Sequence, residues 1–256
     1  MSRGSAGDFD YDRAGAGYAT VRRTDPRIAA LVHAALGGAT SVVNVGAGAG
    51  SYEPSDRRVV AVEPSAAMRA QRPSSAAPVV DGVAERLPFA DRSFEAAMAM
   101  VTVHQWHDGE AGLRELRRVS RGAVVVLTFE GGALDRLWLA EYVPELIEAE
   151  RRRYPTLAAI DAALGGGTEA VPVPVAADCP DGFTEAYYAR PEAFLDERVR
   201  RGQSVWAFVP DGVEDRFVDT LGADLASGAW DRRHGHLRHE PVFVGALRLV
   251  VQSAPR

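Results

Sequence analysis

The sequence contains no lysine, so all 29 basic residues among its 256 residues are arginines. This absence excludes a Schiff-base lysine for pyridoxal phosphate, the phosphate-binding lysine of a Walker motif, and the Tyr-x-x-x-Lys pair of short-chain dehydrogenases. Cysteine is almost as scarce, since Cys179 is the single one. One thiol excludes an internal disulfide framework and a multi-cysteine zinc site.

Long apolar runs are missing as well. Residues 123–129 form one of the longest, which is far short of the roughly 20 residues that a membrane span needs. Residues 1–4 open no apolar stretch of the signal-peptide kind. The formal net charge is −6, whereas nucleic-acid binding relies on a basic surface. We therefore expect a cytoplasmic protein with neither a membrane nor a nucleic-acid partner.

The remaining composition is that of a globular domain. Hydrophobic residues make up 46% and charged residues 25% of the chain, close to the average of folded proteins. The pair Asp25-Pro26 is typical of a helix start. We predict helices over 26–36 and 112–120, and buried strands over 41–45, 57–62, 94–101 and 123–128. This alternation indicates βαβ units on a parallel sheet.

A glycine-rich turn follows the first predicted strand and contains Gly46, Gly48 and Gly50. Such a turn lets the backbone approach a ligand closely, because a Cβ at the middle glycine would collide with it. Glu63 ends the next predicted strand, where a carboxylate can accept hydrogen bonds from both hydroxyls of a ribose. The loop and the acid together predict a nucleoside site.

The spacing of the glycines indicates which nucleoside cofactor is bound. Dinucleotide fingerprints run G-x-G-x-x-G and place a pyrophosphate at a helix N-terminus. Here the run is G-x-G-x-G, and Ser51 occupies the sixth position. This spacing favours S-adenosylmethionine, which carries no phosphate.

At this point the chain resembles the class I S-adenosylmethionine-dependent methyltransferases, specifically the type 11 family that acts on small molecules. The resemblance covers about residues 10–130 in family order. Besides the glycine loop, it rests on AVEPS at 61–65 with Met68, AERLPF at 84–89, SFE at 93–95, VHQW at 103–106 and LRELRRV at 113–119.

The resemblance implies a Rossmann-like α/β fold: a mostly parallel sheet with its last strand antiparallel, carrying helical lid insertions. It implies an N-terminal arm or lid over 1–25 and a cofactor-binding core over 26–130. Residues 131–240 would form the lid and substrate-pocket region with a strand near 171–175, and 241–256 the last strand and tail. The cofactor would be S-adenosylmethionine and its product S-adenosylhomocysteine.

Carried over by position, the resemblance assigns the cofactor site to Tyr11, Tyr18, Arg22, Asn44, Gly46, Gly48, Gly50, Glu63, Pro64, Met68, Val83, Ala84, Glu85, Ala99 and Met100. The glycines would lie beside the methionine moiety, Glu63 would hold the ribose, and Pro64 and Met68 would flank the adenine. Val83 stands where the family often has an aspartate for the adenine amine, so backbone groups there would recognise the base.

One residue of the first strand departs from the family, and three residues near the start of the chain match it. Asn44 replaces a common aspartate, and an amide can still orient the loop through hydrogen bonds. Tyr11, Tyr18 and Arg22 match the family's N-terminal pattern, in which a guanidinium binds the cofactor carboxylate bidentately. A plain helix face is the alternative interpretation of these three residues.

His104 follows the fourth predicted strand, at the sheet edge where ligands of open α/β sheets bind. It is a candidate catalytic base and a candidate substrate contact, with a structural hydrogen bond as the alternative. His107 belongs to a predicted surface turn, and the cluster of His234, His236 and His239 presents no regular ligand face. We therefore expect no metal site.

The remaining candidates for the substrate pocket are Trp106, Phe183, Tyr187, Tyr188 and Trp206. Aromatic side chains are often core residues, but a partly aromatic lid suits a flat, apolar acceptor. The leading hypothesis is methyl transfer to a small aromatic or apolar metabolite of bacterial specialised metabolism, by a monomer or homodimer. Two alternatives stay open: a nicotinamide-dependent oxidoreductase, and a protein of the same fold that binds the cofactor without methylating.

Overall fold

Nine strands form two sheets in the computed structural model, which describes residues 9–14 and 21–254. The strands are β1 Ser41–Val45, β2 Arg58–Val62, β3 Val79–Val80, β4 Ala96–Met100, β5 Val124–Phe129, β6 Thr168–Pro172, β7 Val175–Ala176, β8 Val242–Phe243 and β9 Leu247–Gln252. The larger sheet has seven strands in the order β3-β2-β1-β4-β5-β9-β6, and β7 pairs with β8 in the smaller one.

The larger sheet is parallel from β3 to β5, whereas β9 runs antiparallel to both β5 and β6. The predicted Rossmann-like sheet with an antiparallel last strand is therefore confirmed. The predicted strand near 171–175 divides in two: 168–172 joins the larger sheet, while 175–176 turns away to pair with β8.

Ten α-helices and six 3₁₀ turns connect these strands in the described part of the chain. The helices are α1 Tyr11–Ala14, α2 Pro26–Ala35, α3 Ala66–Ala70, α4 Gly109–Val119, α5 Leu139–Tyr142, α6 Pro144–Arg153, α7 Leu157–Leu164, α8 Glu197–Arg201, α9 Val213–Ser227 and α10 Ala229–His234. The turns are Val103–Gln105, Gly131–Arg136, Thr184–Tyr187, Pro191–Leu195, Ser204–Phe208 and Gly235–His239. No helix within 9–14 and 21–254 is long and apolar enough to cross a membrane.

Helix α2 begins as its sequence predicts. The Asp25 carboxylate accepts hydrogen bonds from the backbone N–H of Arg27 at 2.8 Å and of Ile28 at 3.4 Å. Pro26 occupies the first helical position, where its missing N–H costs nothing. This cap fixes the helix that leads into β1.

Alternate residues of the central strands bury into opposite layers, as the two-residue period of a strand requires. Val42 packs with the layer that contains α2, and Val43 packs with Leu113 and Leu116 of α4. With helices on both faces, the sheet leaves its carboxyl edge open between β1 and β4. There the strand order reverses direction, which is where ligands of such sheets bind.

Candidate active site

The glycine loop after β1 adopts backbone angles that favour glycine. Gly46, Gly48 and Gly50 have φ of +66°, +50° and +97°, in the left-handed region that other residues enter at a cost. A Cβ on Gly46 would overlap the side chain of Thr102, with Cγ2 only 2.8 Å away. The loop therefore lies directly against the chain that leaves β4.

A cavity of about 550 Å³ opens beside this loop, and we call it the first cavity. Its walls come from the carboxyl ends of β1, β2 and β4, from α3 and from the start of the chain. They comprise Tyr11, Arg22, Asn44, Gly46, Ala47, Gly48, Ala49, Ser51, Tyr52, Glu63, Met68, Met100, Val101, Thr102 and Gln105.

Glu63 presents a buried carboxylate to the first cavity. One oxygen accepts a hydrogen bond from the N–H of Gly48 at 2.8 Å and the other from the N–H of Ser65 at 2.9 Å. A carboxylate has about four lone-pair sites, so capacity remains for two hydroxyl groups. Burial raises the pKa of Glu63, and the two N–H donors oppose that shift.

A buried cluster beneath the loop fixes its shape. Asn44 Nδ2 donates to Glu53 at 3.0 Å, and Arg72 Nη2 lies 2.8 Å from both oxygens of Glu53. The same guanidinium donates through Nη1 to the carbonyl of Gly48 at 3.2 Å. The sequence does not predict a role for Glu53 or Arg72, because both residues lie in loops without a motif.

Arg22 connects the start of the chain with residues 131–240, which we call the covering region. Its Nε donates to Asp181 Oδ1 at 2.5 Å, and the hydroxyl of Tyr52 donates to the other oxygen at 2.6 Å. Burial and the charge of Asp181 raise the pKa of Tyr52, so its hydroxyl stays protonated and remains a donor. Tyr18, also expected at this site, lies outside the described residues.

A second cavity, of about 610 Å³, adjoins the first. The two share Tyr11, Arg22, Val101 and Gln105 as lining residues. The other walls of the second cavity comprise His104, Phe129, Leu134, Leu137, Leu146, Ile147, Glu150, Tyr154, Phe183, Thr184, Glu185, Gln203 and Ser204. Most of its apolar lining comes from the region after β5.

His104 is buried at the second cavity. Its Nε2 lies 3.3 Å from Gln105 Nε2, and its ring centroid lies 4.4 Å from that of Tyr154. Burial, and then the charges of Arg153 and Arg22, hold the pKa of His104 well below its usual value of 6.5. The imidazole is therefore neutral at pH 7. Its Nδ1 has no hydrogen-bond partner among the residues described.

Comparison with known proteins identifies the domain that contains the glycine loop. Residues 43–127 match the Methyltransf_11 family model, described as a methyltransferase domain. A putative methyltransferase from an antibiotic biosynthesis pathway of Anabaena variabilis is 28% identical, with a TM-score of 0.83 over 91% of this chain and 99% of that one.

Two further proteins show a weaker similarity. An S-adenosylmethionine-dependent methyltransferase of Thermotoga maritima, described as a possible histamine N-methyltransferase, shares the fold with a TM-score of 0.55 at 15% identity, over 96% of this chain and 98% of that one. The uncharacterized protein YafE of Escherichia coli is 37% identical over 62 residues, which are 23% of this chain. That match spans only 30% of YafE.

Residues 43–127 carry a methyltransferase domain, and the chain shares the fold of S-adenosylmethionine-dependent methyltransferases. S-adenosylmethionine is the cofactor that this domain implies, and the residues of the first cavity fit it. Glu63 keeps acceptor capacity for ribose hydroxyls, and Asn44 Oδ1 is buried without a hydrogen-bond partner in the described chain. The missing Cβ of Gly48 leaves the loop open beside Met68.

The structure brings eight of the expected cofactor residues to the wall of the first cavity: Tyr11, Arg22, Asn44, Gly46, Gly48, Glu63, Met68 and Met100. Six others do not line it: Gly50, Pro64, Val83, Ala84, Glu85 and Ala99. Ala99 faces the α4 layer of the core, and Glu85 accepts a hydrogen bond from the N–H of Asp108 at 3.1 Å.

Of the expected acceptor residues, His104 and Phe183 line the second cavity, and four aromatic residues do not. Trp106 packs against Gly112 of α4. Tyr188 is buried, stacks on Phe243 and donates to the carbonyl of Glu240 at 2.6 Å.

The other two aromatic residues also pack within the covering region. Tyr187 packs on Phe194 and Trp206 on Phe217, with ring centroids 5.4 and 5.1 Å apart. Periodicity shows that such residues are buried, but it does not show whether they face a cavity or the core.

The remaining histidines lie away from both cavities. His107 is exposed, and His234 Nε2 lies 3.1 Å from a carboxylate oxygen of Glu141. Within 9–14 and 21–254, no three His, Cys, Asp or Glu side chains form a group that could hold a metal ion.

Proposed function

We propose that this methyltransferase transfers the methyl group of S-adenosylmethionine to a small apolar or aromatic metabolite bound in the second cavity. The observation that carries the proposal is the shared wall of the two cavities, formed by Tyr11, Arg22, Val101 and Gln105. A cofactor in one cavity and an acceptor in the other would meet there.

The residues of the first cavity have distinct roles in this proposal. Glu63 accepts hydrogen bonds from the ribose hydroxyls, while the N–H groups of Gly48 and Ser65 hold its carboxylate in place. The guanidinium of Arg22, positioned by Asp181, binds the carboxylate of the methionine moiety. Met68 lies against the adenine.

The second cavity positions the acceptor and excludes water from it. When bound, S-adenosylmethionine supplies a methyl group on a sulfonium, a strong leaving group, so that orientation is the main requirement for transfer. Apolar walls formed by Leu134, Leu137, Leu146 and Ile147 favour an apolar acceptor. The neutral imidazole of His104 is available to hold or remove a proton there.

Specialised metabolism is supported by the Anabaena protein, which is described as a putative methyltransferase from an antibiotic biosynthesis pathway. We also propose a division of labour in the chain. Residues 26–130, together with Tyr11 and Arg22 from the start of the chain, bind the cofactor, and 131–240 supply most of the wall around the acceptor.

Calorimetry with S-adenosylhomocysteine, followed by incubation with S-adenosylmethionine and a library of small aromatic acceptors, tests the proposal. We expect saturable binding and a product heavier by one CH2 unit. Failure to bind S-adenosylhomocysteine contradicts the cofactor site. Binding without product from any acceptor favours the alternative of a non-methylating protein with this fold. The oxidoreductase alternative loses its support, because the fold and the domain are those of methyltransferases.

A further inference from the structure

Gln203 places an unused hydrogen-bond donor at the second cavity. It precedes the 3₁₀ turn Ser204–Phe208, and only 5% of its surface is exposed. Thr184 Oγ1 donates to its Oε1 at 3.0 Å. Its Nε2 has no hydrogen-bond partner within the described residues. A buried donor without a partner is costly, so this group points to a ligand.

His104 Nδ1 is a second buried polar atom on the same cavity without a partner in the described chain. His104 belongs to the 3₁₀ turn after β4 and is next to Gln105, which lines both cavities. Gln203 belongs to the covering region and, like His104, lines only the second cavity.

The lining of the cavity is mixed: a group of apolar residues stands beside polar and charged ones, among them Arg22, Glu150 and Glu185. The apolar residues are Val101, Phe129, Leu134, Leu137, Leu146, Ile147 and Phe183. Polar groups in such a cavity fix the orientation of its ligand. An oxygen acceptor such as a carbonyl satisfies the Nε2 donor of Gln203. A hydroxyl satisfies His104 Nδ1 in either ring tautomer, because it both donates and accepts.

We propose that the acceptor is an apolar, hydroxylated compound that also carries a carbonyl oxygen. Gln203 Nε2 donates a hydrogen bond to this carbonyl, and His104 Nδ1 forms a hydrogen bond with the hydroxyl. Gln203 is thus a specificity-determining residue of the second cavity. This inference rests on the proposed function, because it assigns the acceptor class of the same site.

The test uses a matched pair of probes: a naphthol that bears an acetyl group and the same naphthol with an ethyl group. Their affinities are measured by calorimetry on full-length protein saturated with S-adenosylhomocysteine. For the wild type we expect the acetyl probe to bind roughly 5- to 100-fold more tightly, the range for leaving a buried donor unsatisfied. Gln203→Met keeps the side-chain length but removes the donor, so we expect the two affinities to become equal.

Two controls separate recognition from folding. Gln203 does not line the first cavity, so S-adenosylhomocysteine affinity should not change in the variant. Should Gln203→Met fold poorly, Gln203→Glu keeps the shape and places a carboxylate against the carbonyl, which should also abolish the preference. The other half of the proposal is tested with an acetylnaphthalene that lacks the hydroxyl. The wild type should bind it more weakly than it binds the acetyl naphthol. That affinity should be no lower than the affinity of His104→Phe for the acetyl naphthol.

The proposal is overturned if the wild type binds the acetyl and ethyl probes with equal affinity. It is also overturned if the preference for the acetyl probe remains in both Gln203→Met and Gln203→Glu. If neither probe binds while S-adenosylhomocysteine does, the acceptor class is wrong and the proposed function stands. If S-adenosylhomocysteine itself does not bind, the proposed function is at fault.

Discussion

Nε of Arg22 lies 2.5 Å from Oδ1 of Asp181, an ion pair between residues 159 positions apart. The side chain of Asp181 is 1% exposed and that of Arg22 11%. Because Tyr52 donates to the other oxygen of Asp181, one carboxylate joins the start of the chain, the glycine loop and the covering region. Arg22 also lines both cavities, so this carboxylate positions a residue of their shared wall.

Asp181→Ala should therefore weaken both folding and cofactor binding. Removing one partner of a buried pair costs about 3 kcal/mol or more, so we expect urea unfolding to show a loss of that size. S-adenosylhomocysteine affinity, measured by calorimetry, should fall because Arg22 is no longer held. Asp178→Ala is the matched control, since Asp178 pairs with Arg27 on the surface. Equal effects of the two substitutions would contradict a special role for Asp181.

The second prediction concerns Gly48, where a substitution has two separable effects: the folding cost of the left-handed backbone and the entry of a side chain into the first cavity. Gly48→Val should abolish S-adenosylmethionine binding, since its side chain would enter the first cavity beside Met68, whose Cε would lie 3.3 Å from the added Cβ. The left-handed backbone adds a folding cost of about 1–2 kcal/mol. Gly37→Val is the control, because Gly37 has φ of +60° and an added Cβ there meets nothing within 4 Å.

The two variants should lose similar free energy of unfolding in denaturant titrations, but only Gly48→Val should lose cofactor binding in calorimetry. Retained binding by Gly48→Val would remove the loop from the cofactor site.

Glu63 should give cofactor binding a characteristic pH dependence. Glu63→Ala should weaken S-adenosylmethionine by about 1–3 kcal/mol, because two hydroxyls lose a charged acceptor. Burial raises the pKa of Glu63, so its carboxylate takes up a proton at a higher pH than an ordinary glutamate. The ionised form binds, and the affinity of the wild type should therefore fall as the pH is lowered from 7.

Glu63→Gln should bind more weakly at pH 7 and lose that part of the pH dependence. Calorimetry at several pH values checks both statements, with Glu85→Ala, which lies off the cavity, as the control. A wild-type affinity that does not change with pH would place the ribose elsewhere.

Much of the fold was predictable because its signals are local. The strand Ser41–Val45 and the cap at Asp25 follow from apolar runs, turn residues and the Asp-Pro pair within a few positions. Glu63 was predictable for the same reason, since it ends a strand near the glycine loop.

The acceptor side was less predictable because its contacts are long-range. Gln203 meets Thr184 across an irregular segment, and no periodicity distinguishes Tyr188, buried in the core, from Phe183, which faces the second cavity. Folding decides these positions through side-chain packing between distant segments, which a local pattern does not record.

The last prediction concerns the role of His104. Since burial holds its pKa well below 6.5, the imidazole is already unprotonated at neutral pH. A base works in this form, so a catalytic role predicts a turnover that is constant from pH 7 to 9 and falls only at acid pH, below the usual histidine range. His104→Ala should then cost roughly 10²- to 10⁴-fold in turnover.

His104→Gln distinguishes the two roles that the geometry allows, because an amide can replace the hydrogen bond of the imidazole but not its basicity. Stopped assays of methyl transfer across the pH range should show that His104→Gln restores turnover if His104 only positions the acceptor, and that it stays as slow as His104→Ala if His104 removes a proton. If His104→Ala keeps full turnover at every pH, both roles are wrong. Transfer would then depend on the proximity and in-line orientation that the adjoining cavities impose on the two reactants.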